Sequence, residues 1–328
     1  MFLVTGASGF VGSAVVRQLI AGDRAVRALV RPQSDRQNIQ GLDVEIVEGD
    51  LMCPESLAAA VDGCRGVFHV AADYRLWTRH PEAMFQANVE GSRSVIMAAH
   101  QAGVERIVYT SSVATLGIVA DGDGDERTPV TYADMIGPYK QSKFCAEEAV
   151  SALVNELSAQ VVIVNPTTPI GPRDIKPTPT GRMIVEAGSG KMPAYVDTGL
   201  NVAHVDDVAA GHILAYNHGK IGERYVLGGE NMALREILSV IAEIVGRKPP
   251  TVRIPHDLIL PIAYLAESWA GLSGGGEPFV TIDAIKMAKK RMYFSSAKAI
   301  CELGYSPRPA SDALGDAVTW FRVNGYLR

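Results

Sequence analysis

The chain has 328 residues, 47% of them apolar and 20% charged, a balance that builds a core without disulfide or metal staples. Its formal charge of −5 argues against nucleic acid as a partner, because such binding rests on basic patches. Cys53, Cys64, Cys145 and Cys301 form no close pair, the start Met1-Phe2-Leu3-Val4-Thr5 has no secretory pattern, and no apolar run reaches bilayer length; a cytoplasmic protein without a zinc site or redox dithiol is expected.

In chain order, Phe2-Leu3-Val4 reads as a buried strand, followed by a helix over Phe10–Ala21. Further strands are predicted at Ala25–Val30, Val44–Val47, Val67–Val70, Ile107–Thr110 and Val161–Val164, with helices near Pro54–Val61, Pro81–Gln101 and Pro138–Leu157. Continuous apolar strands alternating with helices predict a parallel sheet covered on both faces. The expected fold class is therefore α/β, a doubly wound Rossmann sheet. After Pro166 the rhythm changes, with breakers clustered in Pro166–Pro172 and Pro177–Gly181. Helices then predominate, with short strands at Arg224–Leu227 and Thr251–Ile254. The expected division is a dinucleotide-binding domain over residues 1–166 and a smaller, mostly helical substrate domain over 167–328. The boundary is soft, with some elements crossing back to the sheet.

Between the first strand and first helix lies Thr5-Gly6-Ala7-Ser8-Gly9-Phe10-Val11-Gly12. This is the context that a dinucleotide fingerprint requires. Gly6 permits the tight turn, Gly9 lets the backbone approach a pyrophosphate, and Gly12 lets helix and strand pack closely. The helix N-terminus, from Ser8 to Phe10, offers free N–H groups to the phosphates. The second strand ends Leu29-Val30-Arg31-Pro32, without the acid that would bind a ribose 2′-hydroxyl. Arg31, with Arg36 as a second cation, suits a 2′-phosphate, so NADP is favoured over NAD. Asp50, in Gly49-Asp50-Leu51, reads either as an acceptor for the adenine amino group or as a cap for the helix ahead of Pro54.

Tyr139 and Lys143 stand four residues apart on a predicted helix, and so on one face. A tyrosine can give a proton to an alkoxide when a nearby ammonium favours tyrosinate. Thr110-Ser111-Ser112 closes the fifth strand, at the edge where open α/β sheets bind ligands. These three features together resemble the extended short-chain dehydrogenase/reductase family, also called the NAD-dependent epimerase/dehydratase family. Its motifs read TGxxGxxG, then a Ser or Thr after the fifth strand, then YxxxK. The resemblance implies catalytic roles for Ser112, Tyr139 and Lys143, with Ser111 the lesser candidate for the serine. It also implies that Lys143 reaches the nicotinamide ribose. His69-Val70-Ala71-Ala72 is similar to the family's fourth-strand motif, which places Ala71 and Ala72 beside the cofactor. Asn88-Val89-Glu90-Gly91 matches its mid-helix signature, Asn165–Pro172 its nicotinamide loop with Pro166 and Thr168, and His204–Ala209 the start of a substrate-domain helix.

Three branches of the family differ in their motifs. Dehydratases carry an acidic pair after the catalytic Thr, where this chain has Val113-Ala114. Sugar-nucleotide epimerases show Arg-Tyr-Phe-Asn where this chain has Val164-Asn165-Pro166-Thr167. The chain is more similar to dihydroflavonol 4-reductase-like carbonyl reductases, which use NADPH. Its segments Lys176–Arg182, Met192–Gly199 and Lys286–Lys290 also resemble bacterial hopanoid-associated sugar epimerases. The expected function is an NADPH-dependent carbonyl reductase acting on a small molecule; the alternatives are an epimerase linked to hopanoid biosynthesis and a non-catalytic NADP-binding regulator. The last normally lacks the Tyr–Lys pair. The resemblance further implies a homodimer built on the helices Pro81–Gln101 and Pro138–Leu157.

Four further features carry weaker expectations. His204 is expected to support its loop, and Asp206 or Asp207 to cap the following helix. Arg182 is expected to border the substrate cleft. Asp257–Leu272 reads foremost as a core helix, with a lid or a weak membrane-surface contact as alternatives.

Overall fold

The computed structural model describes residues 1–273 and 281–327. The first half supplies strands β1 (Phe2–Thr5), β2 (Val26–Val30), β3 (Glu45–Glu48), β4 (Gly66–His69), β5 (Arg106–Thr110) and β6 (Val161–Pro166). The second half adds β7 (Thr168–Ile170), β8 (Ala194–Tyr195), β9 (Gly199–His204), β10 (Arg224–Leu227), β11 (Glu230–Ala233), β12 (Val252–Arg253) and β13 (Arg291–Met292). The main sheet has seven strands in the order β10-β6-β5-β4-β1-β2-β3, and every pairing within it is parallel.

Side chains alternate across this sheet with a period of two. Phe2, Val4, Val108, Val162 and Val164 point to one face, against the helices Phe10–Ala21 and Val205–His218. Leu3, Ile107, Tyr109, Val161 and Ile163 point to the other, against Pro54–Val61, Gly91–Gln101 and Gly137–Leu157. The inner strands are apolar throughout because both faces are covered. β3 departs from the expected buried strand at Val44–Val47: it spans Glu45–Glu48 at the sheet edge, with Glu45 and Ile46 exposed. The helical stretch Pro81–Gln101 is interrupted by a π segment over Gln86–Glu90. The wider turn sits around buried Asn88, and such turns recur at functional positions.

The returning strand β10 closes the main sheet beside β6, so residues on both sides of position 166 build one sheet. A second sheet has the order β11-β9-β13, with β7 also paired to β9. It packs with Pro179–Gly188, Leu234–Val245 and Ala310–Val323 around Ile184, Val202, Ile237, Ile241 and Phe321. The helix His256–Ser273 corrects one expectation. Ala263 is buried, but Leu258, Tyr264 and Leu265 are exposed, so the segment is not wrapped by core on all sides. It packs chiefly along the short helix Ile282–Ala288. The side chains of residues 262 and 268–273, and all of 274–280, lie outside the described residues. Among the described residues no helix is long and apolar enough to cross a membrane.

Candidate active site

Gly6 adopts φ +66°, a backbone state that L-residues rarely take. A Cβ there would lie 2.8 Å from the Ala71 backbone, and one on Gly12 would lie 2.1 Å from the Gly6 carbonyl oxygen. The loop is further tied by the Gly9 N–H, which donates to Gly6 O at 2.9 Å. Helix Phe10–Ala21 therefore starts against the end of β1 with its first N–H groups facing a groove. Ser8, Gly9, Phe10, Arg31 and Asp50 line that groove, which encloses about 530 Å³.

The far wall was not anticipated from sequence. Tyr74, Asp174, Ile175 and Lys176 complete the groove. The last three follow the Gly171-Pro172 turn in the chain's second half, and only the breaker density there hinted at a loop. Arg36, the second cation expected there, lies outside the groove lining and pairs with Glu48. Asp50 does not cap the next helix, whose N-cap is Cys53. Its carboxylate instead accepts the Met52 N–H at 2.9 Å. Leu51 is partly buried against Gly91, while Ala71 and Ala72 follow β4 alongside Gly6. Pro166 ends β6 and Thr168 opens β7.

Along the carboxyl edge of the sheet the chemistry changes. Helix Gly137–Leu157 begins with Pro138, a residue suited to the first turn, and so presents Tyr139 and Lys143 toward the end of β5. Burial raises the pKa of the Tyr139 hydroxyl, and the nearby Ser112 side chain opposes that rise. Lys143 is buried, with its ammonium donating to the Tyr109 hydroxyl at 3.1 Å and the Thr110 carbonyl at 2.9 Å. The same ammonium sits 4.7 Å from the Tyr109 ring centroid, a favourable cation–π distance. Burial pushes its pKa down to about 8, partly opposed by the carboxylate of Glu147. Ser112 Oγ accepts the Ala114 N–H at 3.1 Å, which fixes the turn carrying it.

A buried chain of hydrogen bonds joins the two ends of the site. Ser92 gives its only proton to the Asn88 carbonyl at 2.6 Å, so its oxygen accepts from His69 Nε2 at 3.0 Å. His69 Nδ1 then accepts from Thr5 at 2.7 Å, and Thr5 accepts from the Ala71 N–H at 3.2 Å. Asn88 Nδ2 donates to Ser142 Oγ at 2.9 Å. His69 and Asn88 belonged to recognised motifs; what each binds became visible only once β4 and the π segment were brought together.

The motif histidines and acids are also resolved. His204, not Asp206 or Asp207, caps helix Val205–His218, its Nδ1 accepting the Asp206 N–H at 3.0 Å. The imidazole wins because it is buried at the helix start, while Asp206 pairs with Arg173 and Asp207 with Arg308. Arg182 lies in the first turn of helix Pro179–Gly188 and acts electrostatically on Tyr74, a groove residue.

Two buried histidines give the molecule a defined acid response. Burial, with Lys143 as a second cause, holds His69 at about 3. Burial holds His212 at about 4, its ring accepting from Thr110 and donating to Val208. Unfolded, both titrate near 6.5. Below that pH the unfolded chain binds two protons that the folded chain refuses, so stability falls as pH falls towards 4. Asp174 works the other way: burial lifts it to about 6, so between about 6 and 4 the folded state binds one proton more than the unfolded. One net proton remains, or about 1.4 kcal/mol per pH unit in that window. Urea midpoints should therefore be lower at pH 5 than at pH 7. A higher midpoint at pH 5 would contradict this assignment.

The residues present fit a dinucleotide. The glycine cradle would be filled by any Cβ, and the hydroxyls of Ser111 and Thr167 are buried without a protein partner beside β5 and β6. A phosphate groove at one end of a sheet edge and a serine–tyrosine–lysine trio at the other define a class: nicotinamide-dependent enzymes that move hydride at a carbon bearing oxygen. A model of the NAD dependent epimerase/dehydratase family matches residues 2–228, and the chain belongs to that family. It is an NAD(P)-dependent oxidoreductase/epimerase. A protein of Synechocystis sp. provisionally named dihydroflavonol 4-reductase is 45% identical over 100% of this chain and 96% of its own length. Sterol demethylase protein B of Methylococcus capsulatus is 33% identical over 99% of both chains. The solved structure of gox2253 superposes with a TM-score of 0.90 at 54% identity, over 100% of this chain and 99% of the other.

Proposed function

We propose that this protein is an NADPH-dependent carbonyl reductase that reduces a small-molecule ketone or aldehyde. The observation that carries the reading is the trio at the carboxyl edge of the sheet: Tyr139 one helical turn before the buried Lys143 ammonium, with the Ser112 hydroxyl acting on the Tyr139 hydroxyl. When bound, the cofactor would supply the hydride from its nicotinamide. The glycine loop would hold the pyrophosphate, Arg31 the ribose phosphate, and Lys143 the nicotinamide ribose. Ser112 orients the carbonyl oxygen, and Tyr139 delivers the proton that oxygen needs as it becomes a hydroxyl. Val113 and Ala114 form the short turn after Ser112, so that turn offers no acid for removing water. The reductase name of the Synechocystis relative supports the same branch.

The test is a side-by-side screen of carbonyl compounds and sugar nucleotides with purified protein and NADPH. A reductase consumes one NADPH per product. Interconversion of sugar nucleotides without net change in cofactor would establish the epimerase reading instead.

Cofactor choice makes a separate prediction. Arg31 is exposed at the groove wall where an NAD-selective enzyme would place an acid. NADPH should bind more tightly than NADH, and Arg31→Asp should narrow that gap about tenfold, a modest figure for a solvent-screened charge-assisted bond. Calorimetry of both cofactors with both proteins checks it; equal affinities in the parent would remove the argument.

A further inference from the structure

Beneath Ser112 lies a buried carboxylate that the proposed mechanism does not use. Glu147 is 6% exposed and stands one turn after Lys143 on the same helix. Its Oε2 lies 2.9 Å from Asn165 Nδ2 and 2.9 Å from Thr115 Oγ1, and Arg224 approaches its Oε1 at 3.3 Å. The same two neutral side chains also reach the Ser112 backbone: Thr115 Oγ1 is 2.8 Å and Asn165 Nδ2 3.1 Å from the Ser112 carbonyl oxygen. Asn165 has two amide protons, which suffice for Glu147 and Ser112 together. Thr115 has one proton, given to either the carboxylate or the serine carbonyl, so Asn165 is the donor that ties the two together and Thr115 supports one of them at a time.

An isolated buried carboxylate is costly, and an ion pair placed inside a protein contributes little stability over an apolar replacement. The cost here is offset by a use. Resting on the catalytic reading above, we propose that Glu147 is a positioning residue, whose carboxylate fixes the Ser112 turn through Thr115 and Asn165 and supplies the counter-charge under the Lys143 ammonium. Arg224 comes from the returning strand β10 and also donates to the Glu126 carbonyl at 2.5 Å, so the clamp is anchored to the second half of the chain. The titratable and charged groups around Lys143 are Glu147 and Tyr139 on its own helix, Tyr109 on β5 and His69 on β4. Among the described residues Glu147 is the one carboxylate in that set, and it favours the ammonium.

The experiment reads both links without needing a substrate. Lysine labelled with ¹³C at Cε is titrated by NMR in the full chain free of cofactor, with Lys143→Met assigning the resonance. Amide exchange of the segment 111–116 is followed by mass spectrometry on the same samples. Glu147→Gln should lower the Lys143 midpoint by at least 0.5 pH unit and speed exchange of 111–116 about tenfold, while exchange in Leu234–Val245 stays unchanged. Glu147→Asp should recover part of both effects. Thr115→Val removes the hydroxyl shared by Glu147 and the Ser112 carbonyl but keeps the carboxylate, so it should speed exchange of 111–116 and move the Lys143 midpoint less than Glu147→Gln does; it also serves if Glu147→Gln fails to fold. A Lys143 midpoint that does not move in folded Glu147→Gln, or exchange at 111–116 that does not change in either variant, overturns the proposal. Failure of the catalytic reading appears elsewhere, as a Tyr139→Phe protein that still reduces carbonyls.

Discussion

Replacing Tyr139 with phenylalanine should slow hydride transfer by about 10²–10⁴-fold, the usual worth of a positioned acid, while NADPH affinity stays within a few-fold. The ring is retained and only the hydroxyl facing Ser112 is lost. Lys143 keeps its place, because its bonds run to Tyr109 and the Thr110 carbonyl and not to Tyr139. Lys143→Met should lower the rate and also weaken cofactor binding, since the proposed mechanism gives its ammonium both tasks. Ser112→Ala should lower the rate and cost about 1 kcal/mol of stability by removing the cap on the Ala114 N–H. The reductive rate should decline as pH rises through about 8, where Lys143 gives up its proton and no longer favours the proton shuttle at Tyr139. Stopped-flow measurements with a carbonyl found by the screen, alongside calorimetry for cofactor, separate these effects. A Tyr139→Phe enzyme within a few-fold of the parent would remove tyrosine from the mechanism.

Gly12→Ala carries the second large effect. The added Cβ would stand 2.1 Å from the Gly6 carbonyl oxygen and 2.7 Å from its carbon, both backbone atoms. Gly6 itself is held close to the Ala71 backbone, where a Cβ on Gly6 would lie only 2.8 Å away, so room for it to shift is small. The loop must shift by about 1 Å, and displacement of that size commonly costs on the order of 10²-fold in activity. Cofactor affinity should fall to a similar degree, and overpacking should remove about 1–3 kcal/mol of stability. Calorimetry with NADPH and urea denaturation provide the two readings. Affinity within threefold of the parent would mean that the glycine loop is not the pyrophosphate seat.

The parts of this molecule that were legible in the sequence are those with local causes. A buried parallel strand must be apolar on both faces, which makes β1, β4, β5 and β6 stand out. A pyrophosphate cradle must be glycine-rich, and the Tyr139–Lys143 spacing is dictated by one helix. β3 was misjudged because a sheet edge relaxes that rule, leaving Ile46 in solvent. What remained hidden depends on long-range meetings. Nothing within the neighbourhood of Tyr109 shows that it will lie under Lys143, and Glu147 looks like any helix-surface acid until Asn165 and Arg224 arrive around it. Asp206 looked like a cap by residue type, yet the imidazole of His204 reached the free N–H first.

The position of β10 has a consequence for how the protein is made. β6 ends at Pro166, but its neighbour at that edge begins only at Arg224. During synthesis at about 5–20 residues per second, roughly 3–12 s separate the two. For that interval β6 (Val161–Pro166), apolar up to Val164, faces the cell with an open row of N–H and C=O groups, the kind of edge that recruits strands from other chains. The nascent chain is therefore most vulnerable to aggregation with its cofactor loop already complete, and a fragment ending at residue 166 would hold that vulnerable state permanently. Chaperone demand should rise when translation is slowed between residues 167 and 227, and should be insensitive to slowing after that point.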